Sequence, residues 1–253
     1  MWTSRSKSGA STGAKDSLRV GLRIRQSRAQ LAGVCLLTLF SAPLAAAQTF
    51  EFLPEIDAYY KLNSTMRFTF QAKQTREDAD PTQAEFGPSI DLLVKPVIRL
   101  KKAARYDQDE GKQRLLSLSA GYRFVASPDS PNVNRVLLEA TPNLPLLAGI
   151  LLSDRNRGEL NFSSKGLDWR YRNRVNLQRT LDVYSYHPIP YASVEFYYDS
   201  KYEKWSSTAV YAGCRLPLGR RVQLDPYYEH ENNTGKKPNQ QVNAIGVILG
   251  LSF

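Results

Sequence analysis

From about residue 50 to the C-terminus, the chain repeats segments in which apolar and polar side chains alternate. In the segment 65–74, T-M-R-F-T-F-Q-A-K-Q, the even-numbered positions from Met66 on are Met, Phe, Phe and Ala, whereas the odd-numbered positions from Arg67 on are Arg, Thr, Gln and Lys. The segments 115–124, 191–198 and 221–229 follow the same rule. A period of two places successive side chains on opposite faces of a strand. Since no helical period appears after residue 48, the pattern predicts an all-β protein.

Two all-β architectures present alternating faces, and strand length separates them. A soluble β-sandwich packs its apolar faces together and uses strands of about five or six residues. A transmembrane β-barrel turns its apolar face outward, uses longer strands and carries aromatic girdles at both interfaces. The segments here are about ten residues long, and the 14 tyrosines lie mostly at their ends. These features favour a single transmembrane, antiparallel, up-and-down β-barrel in the bacterial outer membrane.

The turn residues divide the chain into eleven candidate strands. Because single-chain bacterial barrels have an even number of strands, ten to twelve are expected, with twelve preferred. The regions that leave the count open are the first strand and the polar stretch 99–113. No span is long enough for a separate plug or a periplasmic domain. The candidates are 52–62, 65–76, 85–97, 114–126, 133–145, 149–162, 168–180, 190–200, 206–216, 220–231 and 240–253.

The last strand, N-A-I-G-V-I-L-G-L-S-F, ends on an aromatic residue. Counting back in twos from the terminus gives large apolar residues, while the intervening positions are mostly small. This arrangement resembles the C-terminal signal that the barrel-assembly machinery recognises, and it makes that machinery an expected partner. The terminus would lie at the periplasmic interface, with 217–220 as a periplasmic turn and 231–240 as an outer loop. The residues of this signal are Val247, Leu249, Leu251 and Phe253.

The N-terminal 47 residues have the features of a cleaved secretory signal peptide. A basic segment precedes the short apolar core at 31–40, and an alanine run ends at Ala47. This order of basic, apolar and small residues predicts cleavage between Ala47 and Gln48. Residues 48–253 would then form the outer-membrane barrel, in contact with membrane lipid and lipopolysaccharide.

Removal of this leader changes the charge of the chain. Residues 1–47 contain seven Lys or Arg and one acid, so the net charge of +10 falls to +4. The basic balance of the whole sequence is therefore poor support for nucleic-acid binding, and no nucleic-acid partner is expected. Only Cys214 remains after cleavage, which excludes a disulfide framework. Metal clusters, phosphate loops and carboxylate pairs at diagnostic spacing are absent from the sequence, so no cofactor is predicted.

The densest polar stretch is D-W-R-Y-R-N-R-V-N-L-Q-R at 168–179. Its arginines fall on one face, and three charges in line would each cost about 2–4 kcal/mol near the middle of a bilayer. They are therefore predicted to face the lumen, where acids on neighbouring strands would form a lattice with them. The further inward acids are Glu55, Asp57, Asp91, Glu139, Asp225 and Glu229. Three outward positions, Asp154, Asn156 and Asn173, are polar, which suggests a bulge there. The predicted lumen residues are Arg155, Arg157, Glu159, Arg170, Arg172, Arg174 and Glu195.

Three functions remain open at this stage. An arginine ladder can line a narrow channel that favours small, anionic solutes. The same charges can instead fill a closed barrel with a structural or adhesive role. A surface lipid hydrolase would need a Ser/His pair, but neither His187 nor His230 is followed two residues later by a serine, the spacing that would put both side chains on one strand face. No catalytic residue is assigned, and His230→Ala would separate this last hypothesis from the other two.

Several stretches resemble a family of bacterial outer-membrane barrels known as domain of unknown function 2490. They include S-D-R-N-R-G-E-L, W-R-Y-R-N-R-V-N-L, P-Y-A-S-V-E-F-Y-Y, V-Q-L-D-P-Y-Y-E-H and the terminal V-I-L-G-L-S-F. The resemblance implies the barrel fold and the outer-membrane location, and it implies no activity and no site residues. One departure is the fifth strand, where Pro142 and Pro145 interrupt the pattern and put its pairing in doubt.

Overall fold

The computed structural model describes residues 49–77, 80–235 and 239–253. The predicted leader and its cleavage site lie outside these residues. Each of the eleven candidate segments forms a strand, with bounds within five residues of those expected. The strands are β1 (Thr49–Lys61), β2 (Met66–Glu77), β3 (Asp80–Pro96), β4 (Arg114–Ser127), β5 (Ser130–Pro145), β6 (Ile150–Ser163), β7 (Gly166–Arg179), β8 (Ile189–Asp199), β9 (Lys204–Pro217), β10 (Val222–Asn233) and β11 (Gln240–Ser252).

The strands form a closed barrel in which each strand pairs with its neighbours in sequence. This confirms the all-β, up-and-down barrel and the range of ten to twelve strands. The preference for twelve was wrong, since eleven strands close the barrel. An even number is required only if the first and last strands pair antiparallel. Here β1 pairs with β11 in parallel, from Thr49↔Val242 to Tyr59↔Ser252, so Thr49 and Phe253 lie at opposite ends of the barrel.

Outward-facing and inward-facing residues differ in polarity along most strands. The exposed large apolar side chains include Phe70, Phe86 and Leu138. Most inward positions are polar or charged, as expected when a barrel has a polar interior and an apolar exterior. The exception is β11, whose inward positions include Ala244 and Ile248. None of the described helices is long and apolar enough to cross a membrane.

The fifth strand continues through both of its prolines. Pro142 is paired with Leu116 of β4, and Pro145 is paired with Leu151 of β6. Proline is tolerated where its missing N–H is not required by the ladder. The doubt about pairing in this strand is therefore resolved in favour of a continuous β5.

The polar outward positions of β6 and β7 do not mark a bulge. The register between these strands runs without a shift from Ile150↔Arg179 to Ser163↔Gly166. Asn173 Nδ2 instead donates to Asp154 Oδ1 at 2.6 Å and to Asn156 Oδ1 at 3.1 Å. Mutual hydrogen bonds satisfy these polar groups on an otherwise apolar surface.

Residues 97–113, between β3 and β4, form a segment inserted into one mouth of the barrel. It contains a short helix, α1 (Ile98–Ala103), and a 3-10 turn at Glu110–Gln113. In α1, Leu100 is buried against Leu151 of β6. The sequence analysis expected no separate plug, because no span is long enough, and it left open whether the stretch 99–113 holds a strand; the structure shows a short helix and a turn there instead. We call residues 97–113 the inserted segment.

Two glycines make room for an aromatic side chain in the interior. A Cβ atom on Gly246 would overlap the ring of Tyr227, and one on Gly213 would lie 2.8 Å from Tyr227 Cβ. We expect Gly246→Ala to lower the free energy of unfolding by about 1–3 kcal/mol, because overpacking forces side chains from their rotamers. Guanidinium unfolding of the detergent-solubilised barrel measures this change. Gly158→Ala is the control, since nothing lies within 4 Å of its Cβ, and equal losses in both variants would contradict the prediction.

Candidate site in the barrel interior

The barrel encloses a cavity of about 520 Å³. Its lining extends from Asp107 and Lys112 of the inserted segment to Glu51, Thr75 and Glu231 near the opposite end. Nearly every strand contributes to this lining, because the barrel is closed and its inward positions all face one space. The cavity therefore occupies the lumen rather than a groove on the surface.

One side of the cavity is formed by the arginines predicted from the sequence. Because β6 and β7 pair without a register shift, Arg155 lies opposite Arg174 and Arg157 lies opposite Arg172. Like charges placed directly opposite each other destabilise a sheet, so this arrangement requires carboxylates nearby. We call the five inward arginines of these two strands the arginine wall: Arg155, Arg157, Arg170, Arg172 and Arg174.

Two buried glutamates form ion pairs with the arginine wall. Glu195 of β8 forms ion pairs with Arg174 at 2.5 Å, with Arg155 at 2.7 Å and with Arg172 at 3.0 Å. Glu159 of β6 forms ion pairs with Arg170 at 2.7 Å and with Arg172 at 3.1 Å. Arg172 is thus shared between both glutamates. The structure brings together all seven predicted residues, with Arg157 at the edge of the group, 3.9 Å from Glu159.

Arg157 belongs to the same network through a different carboxylate. Its guanidinium pairs with Glu139 of β5 at 2.8 Å, and Glu139 also lies 3.9 Å from Arg155. Glu139 was named in the sequence analysis only as a further inward acid. Its position next to Arg157 follows from the register, in which Glu139 and Arg157 are partners.

The arginines and the glutamates differ in how much solvent they meet. The side chains of Glu159 and Glu195 are 0% exposed, whereas those of the arginine wall are 15–26% exposed. Accordingly, the arginines line the cavity and these two glutamates do not. A solute in the cavity therefore meets positive groups first, with the opposing charge buried behind them.

A second charged surface faces the cavity from β1 and β10. Sequence reasoning identified four of its acids as inward but missed both Glu51 and Glu231, and it missed that they form one group. The alternation along β1 and β10 could have identified these two glutamates as inward. That the acids form one group follows only from barrel closure, which places β1 next to β11 and so near β10. We call this surface the acidic strip: Glu51, Glu55, Asp57, Asp225, Glu229 and Glu231.

Tyrosines on β8 and β9 connect the arginine wall to the acidic strip. The Tyr211 hydroxyl lies 3.0 Å from Glu195 Oε2 and 2.9 Å from Glu229 Oε1. The Tyr197 hydroxyl donates to Glu195 Oε2 at 2.9 Å. The Arg174 guanidinium also lies 4.0 Å from the centre of the Tyr211 ring, within cation–π distance. These contacts fix the orientation of the buried Glu195.

Ion pairs and hydrogen bonds hold the inserted segment across its mouth of the barrel. Asp107 pairs with Arg215 of β9 at 3.1 Å and accepts from Gln178 of β7 at 2.9 Å. Asp109 pairs with Arg67 of β2 at 2.8 Å. Since β2 lies across the ring from β7 and β9, these contacts span the opening. The inserted segment therefore lies across this mouth.

The charge of Asp109 is stabilised within this contact. Desolvation raises the pKa of Asp109, but the Arg67 guanidinium and Lys112 outweigh that effect and hold the pKa at about 2. An acid whose pKa is lowered by folding contributes stability above its unfolded value, near 4, and loses it as the pH falls through the folded value. This pair therefore remains charged in mild acid.

The two histidines have partners other than serine among the described residues. His187 stacks on Tyr106 of the inserted segment with ring centres 3.5 Å apart, and its Nδ1 lies 2.9 Å from Asp182. His230 Nδ1 lies 2.8 Å from Asn243 Oδ1 on the outer face of β10 and β11. In the described ranges, no group of three His, Cys, Asp or Glu side chains is placed to hold a metal ion.

The C-terminal residues form the outward face of β11. Ile245 is exposed, Phe253 is 65% exposed, and the small residues Ala244 and Gly246 face inward. The Phe253 N–H donates to the Tyr59 carbonyl at 2.9 Å, which continues the pairing with β1. Val247, Leu249 and Leu251 lie between them on the same outward face.

The closed strand order, the apolar exterior and the charged interior define an outer-membrane-like β-barrel. The chain belongs to the family described as "Protein of unknown function (DUF2490)", whose sequence profile matches residues 56–242. The resemblance found in the sequence is thereby confirmed. Among curated proteins none matches.

One solved structure to which the chain is similar is described as a "Bacterial polysaccharide outer membrane secretin". The two share 12% identity with a TM-score of 0.46, and the match covers 72% of this chain. It covers 63% of the other chain, so this chain spans less than two thirds of that protein's length.

Proposed function

We propose that this protein is an outer-membrane barrel that forms a narrow channel for small, charged solutes. The arginine wall supplies the field that favours anions, and the inserted segment closes one mouth until it is displaced. The observation that supports this proposal most directly is that the arginines are exposed to the cavity while Glu159 and Glu195 are buried behind them. Rings of arginine lining a pore favour anions.

The apolar exterior supports the membrane location. Monomeric soluble proteins rarely expose apolar patches larger than a few hundred Å², but here large apolar residues are exposed on nearly every strand. A bilayer is the environment that such a surface matches. Export by the leader of residues 1–47 and recognition of Val247, Leu249, Leu251 and Phe253 by the barrel-assembly machinery belong to the same proposal.

A closed structural barrel is the second candidate, and one observation favours it. The inserted segment is anchored to strands on several sides of the barrel, and all five wall arginines pair with buried glutamates. Such a network can serve only to fill and rigidify the interior. In this case the exposed loops would carry any adhesive role.

Single-channel recording distinguishes the two candidates. The full-length chain is expressed in a bacterial host, and the protein extracted from its membranes is placed in a planar bilayer under a salt gradient. We expect discrete conductance steps with a reversal potential on the anion side. Replacing Arg170 and Arg174 by glutamine should move this potential toward the cation side, because the acidic strip then dominates the field.

Arg220→Gln is the matched control, because Arg220 is exposed and lies in the turn between β9 and β10. It should leave the reversal potential unchanged. Conductance with the same ion preference in the Arg170/Arg174 variant would exclude the arginine wall as the source of selectivity. A folded barrel that stays electrically silent with the inserted segment released would favour the closed structural barrel.

A further inference from the structure

The acidic strip is arranged in rows across the seam where the barrel closes. The register places Ala244 of β11 between Glu51 of β1 and Glu229 of β10. Four residues further along β11, Ile248 lies between Glu55 of β1 and Asp225 of β10. Because the intervening Ala244 side chain is a single methyl group, the carboxylates of Glu51 and Glu229 both remain open to the cavity.

Most of the acidic strip has no cationic partner. Within the ranges that the structure describes, only Asp225 has an ion pair, with Arg215 at 3.3 Å. Glu229 and Glu231 accept from the hydroxyls of Tyr211 and Ser207 instead. The arginine wall, in contrast, has five guanidinium groups that share three paired carboxylates, Glu139, Glu159 and Glu195. The wall therefore keeps a net positive charge, whereas the acidic strip keeps a net negative charge.

Some polar atoms of both surfaces make no hydrogen bond within the protein. Asp225 is 6% exposed and lines the cavity, yet its Oδ1 makes no hydrogen bond; the same is true of Asp57 Oδ1. On the arginine wall, Arg155 Nε also makes no hydrogen bond, although it lies 3.9 Å from Glu139 Oε2. Buried polar groups cost free energy when they are unsatisfied. These atoms are themselves shielded from the cavity, so a solute would contact the exposed parts of the two surfaces and not these atoms.

Strand order places the arginine wall across the lumen from the part of the acidic strip on β1. In the ring of eleven, four strands separate β6 from β1 in one direction and five in the other. The arginine wall on β6 and β7 therefore faces the part of the acidic strip on β1. The resulting electric field runs across the lumen, perpendicular to the barrel axis.

We propose that the cavity binds a small zwitterion, with its ammonium group at the acidic strip and its anionic group at the arginine wall. A simple anion is attracted by one surface and repelled by the other, and the same holds for a simple cation. A zwitterion is attracted by both. The cavity of about 520 Å³ lies within the usual range for small-molecule sites. This inference deepens the proposed channel function by naming its solute class.

Three probes of matched length test the proposal: 6-aminohexanoate, hexanoate and hexylammonium. Calorimetric titration of the full-length protein, extracted in detergent, measures binding of each. We expect 6-aminohexanoate to bind at least about tenfold more tightly than either singly charged probe, because it alone pairs with both surfaces. Absence of binding by 6-aminohexanoate, or equal binding of 6-aminohexanoate and hexylammonium, would overturn the proposal.

The variant Glu51→Gln/Glu229→Gln tests the acidic strip. Its affinity for 6-aminohexanoate should fall about tenfold or more, while its affinity for hexanoate should stay equal or rise. Glu203→Gln, an exposed glutamate in the hairpin between β8 and β9, is the control and should bind like wild type. Unchanged 6-aminohexanoate affinity in the strip variant would overturn the assignment.

The channel and the binding site can fail separately. Tight binding of 6-aminohexanoate by a barrel that never conducts would contradict the channel function and support the zwitterion site. Conductance without preferential binding of the zwitterion would contradict the site and support the channel function.

Discussion

Replacement of Arg172 by glutamine is expected to lower the free energy of unfolding by about 3–5 kcal/mol. Arg172 is the one member of the arginine wall that pairs with both Glu159, at 3.1 Å, and Glu195, at 3.0 Å. Both carboxylates are 0% exposed, so neither can recover its lost partner from bulk water. Guanidinium unfolding of the detergent-solubilised barrel measures the loss.

A double variant separates an unpaired charge from a packing defect. Arg172→Gln/Glu195→Gln removes one positive and one negative group, so it should recover part of the stability lost in the single variant. Arg220→Gln, in an exposed turn, should unfold like wild type. A single Arg172 variant as stable as wild type would show that the remaining arginines compensate Glu159 and Glu195 without it.

Release of the inserted segment is the second large effect. We expect Asp107→Asn/Asp109→Asn to increase the ratio of conducting to closed states by roughly tenfold to hundredfold for each bond lost. The reason is that a hydrogen bond to a charged group contributes about 1.5–3 kcal/mol, and each acid pairs with an arginine across the mouth. The fraction of time spent conducting in a planar bilayer measures this ratio.

Asp129→Asn is the control for this experiment, because Asp129 is exposed in the hairpin between β4 and β5, at the opposite end of the barrel. Since the pKa of Asp109 is about 2, lowering the pH to 4 should not reproduce the effect of Asp109→Asn. A double variant that conducts no more than wild type would exclude the inserted segment as the gate.

Strand positions could be predicted from the sequence because alternation is a local property. The polar and apolar faces of β2, β4, β7, β8 and β10 follow from the period of two. The free-energy cost of placing arginines in lipid then decides which face points inward. The inward position of the arginine wall could therefore be predicted from the sequence alone. Even so, the register of β6 and β7 was needed to show that Asp154, Asn156 and Asn173 bond to one another on the outside rather than marking a bulge.

The inserted segment could not be predicted, because its contacts are not local. Its helix is only six residues long, and its charges resemble those of a solvated loop. Asp107 finds Arg215 at a sequence separation of 108 residues, and Asp109 finds Arg67 at a separation of 42. The alternation of residues within a strand does not indicate which distant residues will form ion pairs.

The sequence by itself determined the all-β class, the eleven strands and the inward direction of the arginines, since each depends on neighbours within one strand. Only the tertiary structure decided the parallel closure of β1 on β11, the position of the inserted segment and the opposition of the arginine wall to the acidic strip. Closure joins residues at the two ends of the described chain, such as Glu51 and Ala244. The order of the strands around the barrel determines which charges a strand faces across the lumen. Alternation along a single strand does not contain that information.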